Sequence, residues 1–151
     1  MVQHAEAKSK EEDPLRPLSR KGWQNIRKVA RYASETLAIQ VDKIFHSSKL
    51  RAKQTAEVLA SYLGPVQGVA IGENLEPLAN PAFWKTQLSI IKEDIVVVGH
   101  LPHLSKLANQ LLVIGETEEK AAFRNAGILC LQKTESDHWT IEWMITPEMI
   151  T

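Results

Sequence analysis

The order of segments along this chain predicts an α/β protein. The expected form is a three-layer α/β/α arrangement with a mainly parallel sheet and a C-terminal antiparallel hairpin. Three observations carry this. Ile95, Val96, Val97 and Val98 are four consecutive β-branched residues, the composition of a strand covered on both faces. Short apolar runs alternate with helix-spaced amphipathic segments from the start of the chain to about Leu112, the pattern that links parallel strands through helical crossovers. Two further strand-like runs then follow each other across a short polar loop.

Taken in order, residues 1–3 form the first strand and His4 ends it. Strands usually run about 5–6 residues, so this one is unusually short or lacks residues ahead of Met1. A strand starting at the terminus is expected to forfeit ladder hydrogen bonds and fray. Residues 5–17 form a polar loop rich in Lys, Glu, Asp and Pro. Ser19 reads as an N-cap, and the helix it opens runs to Leu37, with Trp23, Ile26, Ala30, Ala33 and Leu37 sharing a face. Residues 41–45 suit a buried strand. Residues 49–63 form a second amphipathic helix, with Ala52, Ala56, Leu59 and Leu63 inward and Gly64-Pro65 as its stop. Residues 66–71 read as an edge strand, 75–81 as a loop and 82–91 as a third helix. Gly99 and His100 close the strand at 95–98, and Pro102 suits the first turn of a helix reaching about Leu112. Residues 128–132 and 139–145 form the hairpin around Glu135, Ser136 and Asp137. Trp139, Ile141, Trp143 and Ile145 alternate, and the two tryptophans are expected to pack the hairpin onto the sheet.

The 151 residues suffice for a single domain spanning 1–151. Eighteen basic residues balance 18 acidic ones. No global field therefore draws in nucleic acid or an anionic membrane, and any anion site must be local. No stretch reaches the length of an apolar membrane span and no signal peptide precedes the first strand, so a cytoplasmic protein is expected. Cys130, the one cysteine, sits in an apolar run and reads as a buried, inert thiol.

Chemistry gathers at the strand ends. His4, Arg51 and His100 each follow closely on an apolar strand-like run. Ligands of open α/β sheets bind in the crevice beyond the carboxyl ends of parallel strands. If the three runs share a sheet, these side chains meet there, with Arg16 near enough in sequence to join them. Two imidazoles and two guanidiniums in one crevice describe a phosphate site.

Four stretches in order then resemble a known family: Val2-Gln3-His4-Ala5-Glu6-Ala7, Arg16-Pro17-Leu18-Ser19, the run Ser47-Ser48-Lys49-Leu50-Arg51-Ala52-Lys53-Gln54-Thr55, and Val98-Gly99-His100-Leu101-Pro102. Together they resemble the histidine phosphatase superfamily, and within it the small SixA-type phosphohistidine phosphatases. The resemblance implies a phosphoglycerate mutase-like fold and a phosphatase that needs no metal or other cofactor. It implies His4 as the nucleophile that carries a phosphohistidine intermediate, with Arg16, Arg51 and His100 holding the phosphoryl oxygens. At Gln3 the chain departs from the pattern, which carries arginine. A glutamine donates a hydrogen bond but no charge, so Gln3 is a substrate-binding candidate of reduced strength.

Glu76 is the candidate general acid, its alternative being a solvated loop carboxylate; Glu6 reads as a loop residue. A missing acid matters less for phosphohistidine, whose imidazole leaves more readily than an alkoxide. Between Arg51 and His100 only 48 residues intervene, too few for a lid, which favours phosphate on a protein surface over a buried metabolite. The expected partner is thus a phosphorylated protein such as a phosphotransfer domain. A small phosphoester substrate and a catalytically weakened phosphate-binding module are the alternatives. His100 and His103 with His4 and Glu6 could suggest a metal, but Pro102 interrupts the turn and the arginines repel a cation. His46 and His138 read as surface or strand-end residues.

Overall fold

The computed structural model describes residues 1–112 and 122–151. Along the chain these form β1 (Val2–Gln3), α1 (Arg20–Glu35), β2 (Lys43–His46), α2 (Leu50–Leu63), β3 (Val69–Ile71), α3 (Ala82–Ile90), β4 (Ile95–Gly99), α4 (His103–Leu111), β5 (Ile128–Lys133) and β6 (Trp139–Ile145), with a closing 3-10 turn at Pro147–Met149. One sheet takes all six strands in the order β3-β2-β4-β1-β5-β6. The first four in that order are parallel, while β5 runs antiparallel to both β1 and β6. The expected mainly parallel sheet with a terminal hairpin is the one observed.

Alternation along β4 divides the core. Val96 and Val98 join Ile26, Val29, Ile44, Ala56 and Leu59 in a cluster beneath α1 and α2. Val97 points the other way, to Leu75, Trp84, Leu104 and Leu107 beneath α3 and α4. The four β-branched residues are thus covered on both faces.

Element ends differ from expectation where local backbone decides. α1 stops at Glu35, two residues early, because the amides of Thr36 and Leu37 both bond to the Tyr32 carbonyl and Ala38 turns left-handed (φ +49°). Leu37 therefore lies outside the buried stripe. Ser19 caps α1 as expected, its hydroxyl accepting from the Gly22 amide at 3.0 Å. α2 begins at Leu50, since Lys49 is extended, and ends on Gly64 in the left-handed conformation (φ +58°). Of the expected edge strand only residues 69–71 pair, because 65–68 are taken up by a turn with Gly68 at φ +74°.

The short first strand is pinned rather than frayed. It lies between β4 and β5, and Val2 is fully buried. The Met1 ammonium donates to the Leu129 carbonyl at 2.8 Å, and the Leu129 amide returns a bond to the Met1 carbonyl at 2.9 Å. Burial lowers the pKa of this ammonium to about 6. A cavity of about 730 Å³, lined by Met1, Val96, Val97, Leu129 and Leu131 among others, opens at the amino ends of β1, β2 and β4. It lies at the opposite end of those strands from His4 and His100.

The hairpin departs from simple alternation. Cys130 pairs with Trp143 but Leu131 pairs with Ile141, so Glu142 is an extra residue in β6. The bulge switches faces: Trp143 and Ile145 pack toward α1 and α2, whereas Trp139 packs toward α3 and α4. Ile141 is left exposed. Cys130, expected to be buried, is half-buried, and desolvation raises its thiol pKa, which disfavours the thiolate.

The loop at 5–17 is tied down at its base. Ala7 and Leu18 form a β-bridge, and the Ser19 amide donates to the Glu6 carbonyl at 2.9 Å. That carbonyl sits directly on α1 at Gly22, where a Cβ would lie 2.0 Å from it. Backbone cannot yield so far without shifting the loop. Gly22→Ala is expected to cost roughly 3 kcal/mol, the scale of severe overpacking. A urea melt checks this, and an unchanged midpoint would refute the close packing.

Candidate active site

Parallel register brings the two histidines together. Gln3 pairs with Gly99 at the ends of β1 and β4, so the next residues, His4 and His100, are neighbours across the sheet. The His4 amide donates to the Gly99 carbonyl at 3.0 Å. Their ring centroids stand 4.9 Å apart, tilted by 53°.

β2 ends beside β4, and the chain passes through Ser47, Ser48 and Lys49 into α2. The positive end of that helix therefore opens onto the crevice, without a side-chain cap, and Arg51 lies in its first turn. Arg51 Nε reaches to 3.4 Å from His4 Nε2. The Ser47 hydroxyl hydrogen-bonds His100 Nε2 at 2.5 Å. Arg16 holds a left-handed backbone (φ +50°), and its Nε donates to the Lys8 carbonyl at 3.1 Å. It is close enough for its charge to depress the pKa of both His4 and Arg51. The structure thus brings together His4, Arg16, Arg51 and His100, the four residues drawn from separate parts of the sequence.

Protonation follows from these contacts. His4 Nδ1 lies 2.7 Å from the Ala5 carbonyl oxygen. A carbonyl can only accept, so Nδ1 carries the proton and Nε2 keeps its lone pair, directed at the cationic side of the crevice. Burial, opposed by the Ala5 hydrogen bond and helped by Arg51 and Arg16, lowers the His4 pKa to about 4. Burial, reinforced by His4, Arg51, Lys49 and His103, lowers that of His100 to about 3. Both rings are neutral at neutral pH. The site sets a neutral imidazole with a free lone pair beside fixed cations, an arrangement suited to attack on an electrophile that carries negative charge.

This has a consequence for stability. An unfolded histidine takes up a proton near pH 6.5, whereas the folded ones resist until about 4 and 3. Between those limits the unfolded state binds more protons, so stability falls as pH falls. The unfolding free energy is expected to drop by a few kcal/mol between pH 7 and 4.5, given roughly 1.4 kcal/mol per pH unit for each group. Urea melts across that range check it, and a flat profile would mean the two rings are not held neutral.

Two buried polar atoms at the strand ends, Gln3 Oε1 and His100 Nδ1, have no hydrogen-bond partner among the described residues. Glu76 is half-buried and accepts from the Ser48 hydroxyl at 3.0 Å. Burial pushes its pKa up, but hydrogen bonds from its own amide, Ser48 and Leu75 outweigh that and leave it lowered. Glu6 is turned away, accepting from the Ser19 hydroxyl at 2.7 Å and facing Lys21 at 3.5 Å. His103 is fully buried with neither ring nitrogen partnered, and burial lowers its pKa. Among the described residues no group of three or more His, Cys, Asp or Glu is placed to hold a metal. His46 is buried at its strand end, not on the surface, and its Nδ1 meets the Ser47 carbonyl at 2.7 Å.

Supporting residues went unassigned from sequence. Thr55 Oγ1 accepts from the Ala5 amide at 3.0 Å and donates to the Arg51 carbonyl at 2.7 Å, fixing the loop after His4 to the helix that carries Arg51. Gln54 accepts from the Leu18 amide at 2.8 Å, holding the far end of the loop that bears Arg16. Their place in the Arg-Ala-x-Gln-Thr run was the available signal. Asn125 donates to the His4 carbonyl at 2.9 Å, and no motif marked it.

No protein-family model matches the chain. An uncharacterized protein of Picosynechococcus sp. is 33% identical over 126 residues, covering 80% of this chain and 74% of its own. Among solved structures, the protein histidine phosphatase SixA complexed with tungstate superposes with a TM-score of 0.86 at 24% identity, over 98% of this chain and 96% of its own. A phosphoserine phosphatase from Entamoeba histolytica in complex with 3-phosphoglyceric acid gives 0.67 at 17% identity, over 95% and 93%. A mycobacterial glucosyl-3-phosphoglycerate phosphatase gives 0.72 at 15%, over 94% and 95%. The chain belongs to one family with the Picosynechococcus protein, and its fold is that of the histidine phosphatases of the SixA type.

Proposed function

We propose that this chain is a cytoplasmic phosphatase that hydrolyses phosphohistidine on a protein, through a covalent phosphohistidine at His4. The observation that carries the reading is the neutral His4 Nε2, proton-free and 3.4 Å from Arg51 Nε, with His100 beside it. That nitrogen attacks phosphorus in line. The substrate's P–N bond breaks and its electron pair stays on the departing nitrogen; the ring leaves as neutral imidazole because its other nitrogen already carries a proton. Water then attacks the phosphoryl group on His4, the P–Nε2 bond breaks, and inorganic phosphate leaves with neutral His4 restored. Arg51 and Arg16 offset the charge on the phosphoryl oxygens, Gln3 adds a donor, and His100 Nε2 adds another when its contact with the Ser47 hydroxyl is exchanged for a phosphoryl oxygen.

The substrate class follows from what the leaving group needs. An alkoxide must be protonated as it departs, and Glu76, the carboxyl suggested for that work, favours its ionised form. An imidazole can depart already protonated. The alternative, a phosphate-binding module weakened in catalysis, is favoured by Gln3 alone, where a cation is missing. Rapid quenching of the protein with a histidine-phosphorylated phosphotransfer domain tests the reading. An acid-labile phosphoryl group mapping to His4 is expected; turnover with no such adduct, or an adduct elsewhere, would overturn it.

A further inference from the structure

Among the described residues, the loops that follow the four parallel strands border the crevice, and three of these loops carry an exposed leucine. Leu15, next to Arg16 in the loop after β1, is 72% exposed; Leu78, in the loop between β3 and α3, is 87% exposed; Leu101, next to His100, is 38% exposed. The fourth loop, after β2, exposes Ser48 and Lys49. Single exposed leucines are ordinary on protein surfaces. Here three come from separate loops at one end of one sheet, each within two residues of a group at the crevice.

We propose that Leu15, Leu78 and Leu101 form an apolar collar on which a folded phosphoprotein docks with its phosphohistidine in the crevice; this rests on the phosphatase reading above. A histidine side chain has only two rotatable bonds. Its phosphorus can approach His4 only if the backbone that carries it comes down onto the rim. Whatever presents a protein phosphohistidine therefore covers the leucines, whereas a free metabolite leaves them in water. Charge offers less selection: Lys8 and Lys10 are answered by Glu11, Glu12 and Asp13 in the same loop. The partner that fits is a folded domain whose phosphohistidine is set among apolar side chains.

The test compares the intact protein with the L15S/L78S double variant, both changes lying on exposed side chains outside the phosphate site. Two substrates are used: a histidine-phosphorylated phosphotransfer domain and phosphoimidazole. Loss of two well-covered leucine contacts is expected to lower kcat/KM for the domain about fiftyfold, mainly through KM, with phosphoimidazole hydrolysis unchanged within about twofold. An equal loss on both substrates, or none on the domain, would overturn the collar. Activity of the unaltered protein on phosphoimidazole but not on the domain would also overturn it while leaving the phosphatase reading in place. Inactivity on both substrates would instead sink that reading, and the collar with it.

Discussion

His4→Ala is expected to reduce phosphohistidine hydrolysis by at least about four orders of magnitude, the scale of losing a covalent nucleophile. Among the described residues nothing else on the crevice floor can replace it. His100 Nε2 is engaged by Ser47, and burial with neighbouring cations lowers the His100 pKa to about 3, which leaves that imidazole too weak a base to activate the Ser47 hydroxyl. The fold should survive the change. What His4 contributes to the sheet is backbone: its amide to Gly99, and its carbonyl to Asn125 and Ala126. The side chain's two hydrogen bonds, to the Ala5 carbonyl and the long one from Arg51 Nε, are offset by removal of a costly buried imidazole. Stability at neutral pH is therefore expected within about 1 kcal/mol of the parent. Steady-state rates and urea melts on the same preparations decide it. Residual activity within tenfold of the parent, in a folded variant, would remove His4 from the nucleophile's role.

How much of this was legible in the chain depends on where the information resides. The β-branched run of β4, the Ser19 cap and the Gly64 stop are local, and the structure places all three as the sequence suggested. The convergence of His4, Arg51 and His100 followed from a single topological rule about strand ends, because each residue directly follows or lies near a strand in the parallel part of the sheet. What stayed hidden is set by long-range register. The bulge at Glu142 depends on how β5 meets β6, and no residue in either strand announces it, so the alternation of Trp139 and Trp143 gave no sign that they pack on opposite faces. The two-residue β1 looked too weak to hold because its bonds come from partners near residues 98 and 128, far along the chain. Asn125 supports the His4 carbonyl across 121 residues, a contact no spacing argument could supply.

Arg51→Ala should be the second-largest loss, about 10²–10³-fold in kcat/KM, the effect of removing one preorganised charged donor from an oxyanion site. Lysine should recover little of it. An ammonium offers a point charge on a flexible stem, whereas the guanidinium presents a planar fork that grips two phosphoryl oxygens at once. A separate signature distinguishes this role from a structural one. The Arg51 cation helps hold the His4 pKa down near 4. Without it the imidazolium is less disfavoured, the pKa rises toward 6.5, and the acid limb of the pH–rate profile should shift upward in Arg51→Ala. In Arg51→Lys a cation remains, and the limb should stay close to the parent's. The helix itself loses nothing in either variant, because Thr55 bonds the Arg51 carbonyl, which is backbone. Rate loss with an unmoved acid limb would mean that the guanidinium grips substrate without setting the nucleophile's protonation. Full activity in the alanine variant would place the phosphate away from this crevice altogether.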